Sequence, residues 1–385
     1  MPIIENKRNS SANLLFLITA LFWFGQYTYV PYVNPSLAAL GAGAVFMGFV
    51  SGAYGLTQMI LRIPLGLWTE KIGKKRCIIA GCLLCAASSF CMLSINHPAA
   101  FLIGRGLAGV ASATWIGFTI LYSSYFRDEE SVSAITMLNV SSQIGQVAAF
   151  AAGGAAVAYL GVRSAFVIAG AVGLAAFALA FFIRDSSAAK SAVSLRDFWG
   201  VIHNRNLLLC CLYAAVAQMI AFSTFQTFIT NHAMEIGVKT GQMSYMYLFV
   251  LGPGIIAGYA VSKFLVRKFS IRVIGFTGFL LLAAYCAAVP ITGSAAQIFM
   301  ISVLAGVGYS LTYNLMMGLC VRDIAADKRS AAMGFFQAAY GIGMTLGPIF
   351  MGWVTGAFSL NTGFYIMAAI AAVAAVGALV NMRKK

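Results

Sequence analysis

Apolar stretches of 18 residues or more recur along the whole 385-residue chain, and none of them contains an acidic residue. A bilayer core of about 30 Å requires roughly 20 helical residues per crossing, and lipid offers no partner for unpaired backbone groups. With 61% hydrophobic and 9% charged residues, the chain is predicted to be an all-α membrane protein. Twelve transmembrane helices are expected, at 12–33, 43–67, 75–95, 99–125, 131–158, 163–183, 206–230, 241–265, 271–291, 295–320, 329–357 and 361–381.

The net charge of +15 follows the predicted topology. Twenty-one of the 25 Lys and Arg residues lie at the termini or in loops on one side, and only Arg163 and Lys239 lie in loops on the other. The positive-inside rule therefore places both termini in the cytoplasm. We expect a multi-pass protein of the plasma membrane, with the lipid bilayer as a partner. The basic residues form no compact nucleic-acid-binding patch, so no nucleic-acid partner is expected.

The two halves of the chain resemble each other at a shift of about 195 residues, and paired glycines carry the similarity. Repeats of six helices with one binding site between them are typical of secondary transporters. We predict two pseudo-symmetric six-helix bundles, at 1–183 and 206–385, joined by a cytoplasmic linker at 184–205. The glycine pairs are Gly41 with Gly237, Gly66 with Gly258, Gly109 with Gly306, Gly145 with Gly343, and Gly154 with Gly352.

The linker contains apolar residues at helical spacing: Leu195, Phe198, Trp199 and Ile202. Ser194 precedes them and is a suitable N-cap. This pattern predicts a short helix that lies in the cytoplasmic interface of the membrane.

The segment from Gly66 to Arg76 reads GLWTEKIGKKR. It resembles the signature loop of the major facilitator superfamily, with glutamate where that family usually has aspartate. The resemblance implies alternating access of two bundles around a cavity lined mainly by helices 1, 4, 7 and 10 and their partners 2, 5, 8 and 11. It also implies that the loop locks the halves by pairing helix 2 with helix 11; the alternative is a solvated charge run that only fixes topology. The matching residues are Gly66, Glu70, Lys71, Gly73, Lys74 and Lys75.

Arg105 lies inside helix 4, about six residues or roughly 9 Å from its outer end. A charge near the bilayer interior faces water or a partner and marks a pathway. Together with Gly109, Arg105 resembles the family's helix-4 motif, whose arginine is associated with proton coupling. We favour a role in substrate binding or coupling; the alternative is a structural arginine bonded to backbone carbonyls or to groups such as Asn139 and Gln143.

Arg62 is the second arginine inside a predicted helix. It lies one turn before Gly66, close enough to the cytoplasmic end of helix 2 for its long side chain to reach the headgroups. This structural role is favoured. The sharper alternative is that Arg62 forms the inner half of an anion path with Arg105.

Polar and aromatic residues of helices 1, 4, 7 and 10 are candidates to line the cavity. Aromatic rings give apolar contact area, and tyrosines add a polar tip. As a set, these residues suit an organic solute with a few hydrogen-bonding groups better than an inorganic ion, although single aromatics also serve packing and interface anchoring. The candidates are Phe22, Trp23, Gln26, Tyr27, Tyr29, Trp115, Tyr213, Gln218, Phe222, Gln226, Tyr309, Tyr313 and Asn314.

Helices 5 and 11 carry small residues for close packing. Antiporters of the resembled family have a Gly-Pro pair in helix 5, but Ala149 and Phe150 stand there in this chain. Helix 11 has the pair and is predicted to bend at it. The predicted packing and kink positions are Gly145, Gly153, Gly154, Gly343, Gly347 and Pro348.

These features favour a secondary transporter that moves a small organic anion or neutral amphiphile. The missing membrane acids disfavour a proton relay. A proton-coupled multidrug-type exporter is one alternative, and a non-transporting sensor on the same fold is another. No enzyme activity, cofactor or metal is expected, because no nucleophile with a base and no ligand cluster is present. The chain is expected to act as a monomer on a small-molecule substrate.

Overall fold

The computed structural model describes residues 2–94, 96–127, 130–185, 200–325 and 328–382. Within these ranges every regular element is a helix and no strand is present, and the twelve long helices confirm the predicted fold class. The helices are α1 (Pro2–Tyr27), α2 (Ala44–Ile72), α3 (Lys74–Ser94), α4 (Pro98–Ala113, continued by Trp115–Ser124), α5 (Ser131–Leu160), α6 (Arg163–Ala180), α7 (Arg205–Ser223), α8 (Met243–Ala260), α9 (Ile271–Ala288), α10 (Ala295–Leu319), α11 (Arg329–Ala357) and α12 (Leu360–Asn381).

Eleven of the helical segments in the described ranges are long and apolar enough to cross a membrane. The twelfth helix, α11, has the length but not the hydropathy. Its first half carries Arg329, Gln337 and Tyr340, and Gln337 and Tyr340 contact other helices instead of facing lipid. A helix that is buried between protein neighbours does not need an apolar surface on every side.

Several helices are interrupted where uninterrupted spans are predicted from the sequence. In α4 the break is at Thr114, whose hydroxyl donates to the carbonyl of Ala111 at 2.6 Å and so competes with the helical backbone bonds. Helices α1, α7 and α8 each end in a short 3₁₀ or π-helical segment that is followed by a further short helix. These segments are Val30–Tyr32 with Val33–Ala39 after α1, Thr224–Phe228 with Ile229–Glu235 after α7, and Val261–Leu265 with Val266–Lys268 after α8.

The predicted loop between helices 2 and 3 is almost entirely helical. Helix α2 continues to Ile72, and α3 begins at Lys74. Gly73 alone makes the connection, with a φ of 98° and an N–H that donates to the Thr69 carbonyl at 3.1 Å. A positive φ is unstrained only for glycine, so this residue ends one helix and starts the next.

The helices form two bundles with the same internal packing. In the first bundle α1 packs on α5, α2 on α4, and α3 on both α4 and α6. In the second, α7 packs on α11, α8 on α10, and α9 on both α10 and α12. The prediction of two pseudo-symmetric bundles is therefore confirmed. The exact domain limits at 183 and 206 remain a prediction, and the predicted linker helix at 194–202 falls largely outside the described residues.

Four of the five glycine pairs lie at equivalent helix contacts, whereas Gly41 and Gly237 lie in turns with φ values of 75° and 76°. A Cβ added at Gly145 of α5 would overlap the carbonyl oxygen of Ala20 in α1, and one at Gly343 of α11 would overlap that of Ala215 in α7. Likewise, a Cβ at Gly109 of α4 would overlap a backbone carbonyl of α2, and one at Gly306 of α10 would overlap a backbone carbonyl of α8. At these crossings the helices touch backbone to backbone, as small residues allow in membranes.

Replacement of one crossing glycine tests this packing. Gly306→Ala forces a methyl group into the Val250 carbonyl, and we expect a loss of about 1–3 kcal/mol of stability from overpacking. The matched control is Gly252→Ala, because Gly252 of α8 has no atom within 4 Å of an added Cβ. The control should be neutral or slightly stabilising, since alanine favours a helix. Thermal unfolding of the purified protein measures both, and equal melting temperatures would contradict this account.

Candidate functional site

The two bundles meet along two helix pairs, α2 with α11 and α5 with α8. Glycines of α2 contact the backbone of α11: a Cβ at Gly52 would lie 2.7 Å from the Thr345 carbonyl oxygen, and one at Gly48 would overlap the Pro348 carbonyl. On the other side of the interface, a Cβ at Gly154 would lie 3.1 Å from the Gly241 carbonyl oxygen. These contacts enclose the space between α1, α4, α7 and α10.

That space is lined by aromatic rings from both bundles, which we call the central aromatic cluster. Two stacked pairs cross the interface: Tyr54 with Phe222, at 6.0 Å between ring centroids, and Phe150 with Tyr247, at 4.8 Å. The rings of the cluster are Trp23, Tyr27, Tyr54, Trp115 and Phe150 from the first bundle, and Phe222, Phe225, Tyr247, Tyr309, Tyr313 and Tyr340 from the second.

Six of the aromatic candidates lie in this cluster: Trp23, Tyr27, Trp115, Phe222, Tyr309 and Tyr313. Phe22, Tyr29 and Tyr213 instead pack against rings of their own bundle. Tyr27 contacts Trp23 at 5.7 Å, and Trp23 contacts Trp115 at 5.4 Å. In the second bundle, Tyr309 and Tyr313 stack at 5.3 Å. Five rings of the cluster were not predicted although they line the same space: Tyr54, Phe150, Phe225, Tyr247 and Tyr340. Four of them belong to helices 2, 5, 8 and 11, from which no lining residue was selected, and Phe225 lies in the π-helical segment after α7.

Amide side chains add polar atoms around the same space. The Gln26 amide donates to the Ala108 carbonyl at 3.2 Å, but its own oxygen is buried without a partner. The amide oxygen of Gln218 is also buried without a partner. Asn314 lies against Gly258 of α8. Because a buried oxygen without a donor is unfavourable, the two glutamine oxygens are suited to accept hydrogen bonds from a bound solute.

Arg105 is buried, with 7% of its surface exposed, and its guanidinium lies 4.5 Å from the ring centroid of Tyr54. The Tyr29 hydroxyl faces the guanidinium without reaching hydrogen-bonding geometry. Across the described ranges, no carboxylate pairs with this side chain. Arg105 therefore has the Tyr54 ring and the Tyr29 hydroxyl as neighbours but no counter-charge.

A small polar cavity adjoins Arg105 and reaches into the second bundle. Its volume of about 10 Å³ is that of a single water molecule. The lining includes Asn34 and Ser51 of the first bundle and Gln226 and Thr227 of the second. The predicted residues Arg105 and Gln226 are thus brought together across the interface.

Direct hydrogen bonds close the interface beyond this cavity, on the side that the charge pattern predicts to be periplasmic. The Asn34 amide donates to Asn231 Oδ1 at 2.7 Å and to the Thr227 carbonyl at 3.2 Å. The hydroxyls of Tyr32 and Ser244 are 2.6 Å apart. None of these four side chains was predicted from the sequence, because single neutral residues give no signal for a partner about 200 positions away.

Arg62 has a different environment from Arg105. It is 5% exposed, and its Nε donates to Oε1 of Gln337 at 2.8 Å. This bond joins α2 to α11 across the interface, on the predicted cytoplasmic side of the cluster. The Tyr54 hydroxyl lies within electrostatic range of both Arg62 and Arg105. The anion path with Arg62 remains a prediction.

A sequence profile of the Major Facilitator Superfamily matches residues 15–327 and 321–385. The chain belongs to the Major Facilitator Superfamily. It is 23% identical to the inner membrane transport protein YajR of Escherichia coli (strain K12) over 367 residues, which cover 92% of this chain and 80% of that protein. Proteins of this superfamily are transporters and not enzymes, so the chain is a multi-pass membrane transporter that acts on a small molecule.

Solved structures of superfamily transporters share the fold. A bacterial homolog of the human lysosomal transporter Spinster, in an inward-facing and occupied conformation, superposes with a TM-score of 0.79 at 15% identity and covers 97% of this chain and 96% of that one. The nucleoside transporter NupG superposes with a TM-score of 0.77 at 16% identity and covers 98% and 100%. At these identities the likeness shows the fold alone.

The superfamily signature is placed at the end of α2 and the start of α3. Gly66 faces the Ile116 side chain of α4, at 3.0 Å from an added Cβ. Lys74 is buried, and Lys75 Nζ donates to the Phe181 carbonyl at 2.7 Å, which ties α3 to the end of α6. The side chains of Glu70 and Lys71 lie outside the described part of the structure.

The packing residues predicted in this transporter's helices 5 and 11 contact neighbouring helices. A Cβ at Gly153 would lie 3.1 Å from the carbonyl oxygen of Thr28, and one at Gly347 would lie 2.6 Å from that of Met219. Helix α11 continues through Pro348 as a single element. Among the described residues, no group of His, Cys, Asp or Glu could hold a metal ion.

A double-mutant cycle tests the bond between α2 and α11. Gln337→Leu leaves the buried Arg62 guanidinium without its acceptor, and we expect a loss of about 1–3 kcal/mol. Arg62→Met combined with Gln337→Leu should recover part of that loss, because neither buried polar group is then left unpaired. Thermal or denaturant unfolding of the four proteins gives the coupling energy. Additive effects of the two substitutions would mean that the bond does not stabilise the interface.

Proposed function

We propose that this transporter moves a small organic anion by alternating access, and that Arg105 binds the anionic group. The observation that carries the proposal is the state of the Arg105 side chain. It is 7% exposed, and no carboxylate pairs with it in the described part of the chain. Its favourable neighbours are neutral groups: the Tyr54 ring, 4.5 Å from the guanidinium, and the Tyr29 hydroxyl.

An unpaired buried charge is costly, and this cost favours an anionic ligand. A charged side chain near the bilayer centre costs at least about 2.5–3.5 kcal/mol, whereas a cation–π contact returns only about 0.5–2 kcal/mol. An anion at Arg105 would supply the missing partner. The planar guanidinium can donate two parallel hydrogen bonds to a carboxylate or phosphate.

The central aromatic cluster supports an organic solute over an inorganic ion. Its rings line the space on the cytoplasmic side of the Arg105 cavity and offer apolar area from both bundles. The unpaired oxygens of Gln26 and Gln218 accept hydrogen bonds, so they favour a solute that also carries N–H or O–H groups. A substrate with an acidic group for Arg105, an apolar body for the rings and a hydrogen-bond donor for the glutamine oxygens fits this site.

The mode of coupling follows from the same charges. The apolar spans contain no acidic residue, so a chain of membrane carboxylates that could relay protons is not present in the sequence. We propose substrate exchange, facilitated diffusion, or coupling by a proton that the substrate itself carries. We also propose that both termini lie in the cytoplasm, because the basic loops lie on the same side as the termini. We propose that the protein functions as a monomer, as transporters of this superfamily typically do.

A neutral amphiphile is the second candidate substrate. The rings and the two unpaired glutamine oxygens would bind such a molecule without the help of Arg105. A cationic drug is disfavoured, because Arg105 would repel it and no membrane carboxylate would attract it. Binding of an organic anion therefore depends on Arg105, whereas binding of a neutral amphiphile does not.

Binding and transport of matched probes separate these candidates. The probes are a panel of aliphatic and aromatic carboxylates, each paired with the neutral amide of the same carbon skeleton. We expect carboxylates, and not their amides, to raise the melting temperature and to show counterflow in proteoliposomes. Loss of two charge-assisted hydrogen bonds at about 1.5 kcal/mol each corresponds to roughly 100-fold weaker binding in Arg105→Ala.

Two further variants make the test specific. Arg105→Lys keeps the charge without the paired donors, so carboxylate binding should be intermediate. Arg62→Ala should only weaken transport, since that side chain is already bonded to Gln337. Equal binding of carboxylates and amides, or unchanged carboxylate binding in Arg105→Ala, would refute the anion site. Binding without counterflow would instead favour a sensor.

A further inference from the structure

A second, larger cavity lies inside the second bundle, away from the interface between the bundles. Its volume is about 530 Å³, and it is bounded by the starts of α7 and α9 and the ends of α10 and α12. These four helix ends lie on the predicted cytoplasmic face. The inner part of the cavity is apolar and includes Leu209 and Met316. Because it shares no residue with the central aromatic cluster, any ligand there is independent of the proposed substrate site.

The charges around this cavity are predominantly positive. Arg205, Arg272 and Arg322 line it, against the single carboxylate of Asp323. Helices α7 and α9 both begin at the cavity, after their N-caps Asn204 and Ser270. The N-terminal ends of helices carry partial positive charge and unpaired N–H groups, which favour an anion. The ends of α10 and α12 face the same cavity with the opposite partial charge and offset this effect, so the attraction for an anion comes mainly from the three arginines.

The first bundle closes the equivalent space with its own residues. The shift of 197 positions that aligns Gly109 with Gly306 also aligns Tyr125 with Arg322 and Lys75 with Arg272. Lys75 and Arg272 have the same role, because each donates to a backbone carbonyl near the end of the last helix of its bundle. The bundles differ at the position of Tyr125 and Arg322. In the first bundle the Tyr125 ring is buried, and its hydroxyl donates to the Arg184 carbonyl.

Arg322 does not fill the corresponding space in the second bundle. Its side chain is exposed, so the volume that a buried ring occupies in the first bundle stays open and becomes cationic. Leu15, Leu138 and Ile183 complete the packed apolar core in that half of the first bundle. The cavity is therefore a specific difference between the two repeats and not a general property of the fold.

We propose that this cavity binds an organic phosphate, with the phosphate group among the three arginines and the organic part on the apolar floor. Arginine binds phosphate through paired hydrogen bonds, and basic pockets between membrane helices on the cytoplasmic side bind anionic headgroups. The volume of about 530 Å³ is far larger than a bare phosphate requires. The same chemistry is offered by the headgroup of an anionic phospholipid and by a soluble phosphate ester, and the experiment distinguishes these sources.

Thermal unfolding of the full-length protein tests the site with two pairs of probes. Phosphatidylglycerol is compared with phosphatidylcholine in mixed micelles, and glycerol 3-phosphate is compared with glycerol at constant ionic strength. A ligand that binds the native state raises its melting temperature in a concentration-dependent way. Stabilisation by phosphatidylglycerol alone identifies a lipid headgroup, and stabilisation by glycerol 3-phosphate identifies a soluble phosphate ester.

Matched double variants show whether the cavity is responsible. Arg205→Gln with Arg322→Gln removes two cavity charges, and loss of one charge-assisted bond should weaken binding about tenfold or more. The control is Arg76→Gln with Arg127→Gln, which removes two exposed charges from the same face of the first bundle. It should change the apparent affinity by less than about twofold, because a diffuse surface charge contributes little at physiological salt.

A third variant leaves every arginine in place. Val380→Trp adds a large ring at the edge of the cavity, from a position that is 68% exposed. It should weaken binding of whichever probe stabilises the native protein. If the double variant fails to fold, this variant still shows whether the probe binds in the cavity. No stabilisation by either phosphate probe would overturn the proposal. Equal losses of affinity in the cavity and control double variants would overturn it as well.

Discussion

Direct contact between helix backbones at glycine is the constraint on which the rest of this structure depends. Gly145 and Gly109 bring α5 onto α1 and α4 onto α2 in one bundle, and Gly343 and Gly306 repeat both contacts in the other. In lipid, apolar side chains gain little by leaving the solvent, so helices associate through close packing and hydrogen bonds. Each crossing fixes a helix pair at its shortest distance, and the same four crossings fix the two bundles in the same shape.

Glycines also pack against helix backbone at the interface between the bundles, where they allow the bundles to move. Gly48, Gly52 and Gly55 form a smooth face on α2 against the backbone of α11. A face without side chains has few interlocking parts, so two rigid bundles can tilt against each other at little cost. Among the described residues, specific bonds across the interface lie in two places: Arg62 with Gln337 on one side of the aromatic cluster, and the Asn34 and Tyr32 contacts on the other. Alternating access requires such a division between smooth packing and a few breakable bonds.

The fold was predictable because its signals repeat every few residues, whereas most of the site was not. Twelve apolar spans, one-sided basic loops and five glycine pairs each constrain the same architecture. Arg105 stood out because a charge is rare in a membrane helix. Tyr54 and Tyr340 did not, because a tyrosine in α2 or α11 has the same local pattern whether it faces the cavity or a neighbouring helix. Gln337 is 275 positions from Arg62, and no local spacing connects residues so far apart.

Arg62 and Arg105 show why charge alone does not define a binding site. Both are at least nine-tenths buried in membrane helices, and both influence the same tyrosine. Arg62 has an amide acceptor across the interface, so its charge already stabilises one arrangement of the bundles. Arg105 has the Tyr54 ring, the Tyr29 hydroxyl and a cavity the size of one water molecule as neighbours, but no counter-charge among the described residues. A ligand that supplies its counter-charge must enter between the bundles, because Gln226 and Thr227 on the far wall of that cavity belong to the second bundle. Binding at Arg105 is thereby linked to the distance between the bundles, which is the coordinate that a transporter has to change.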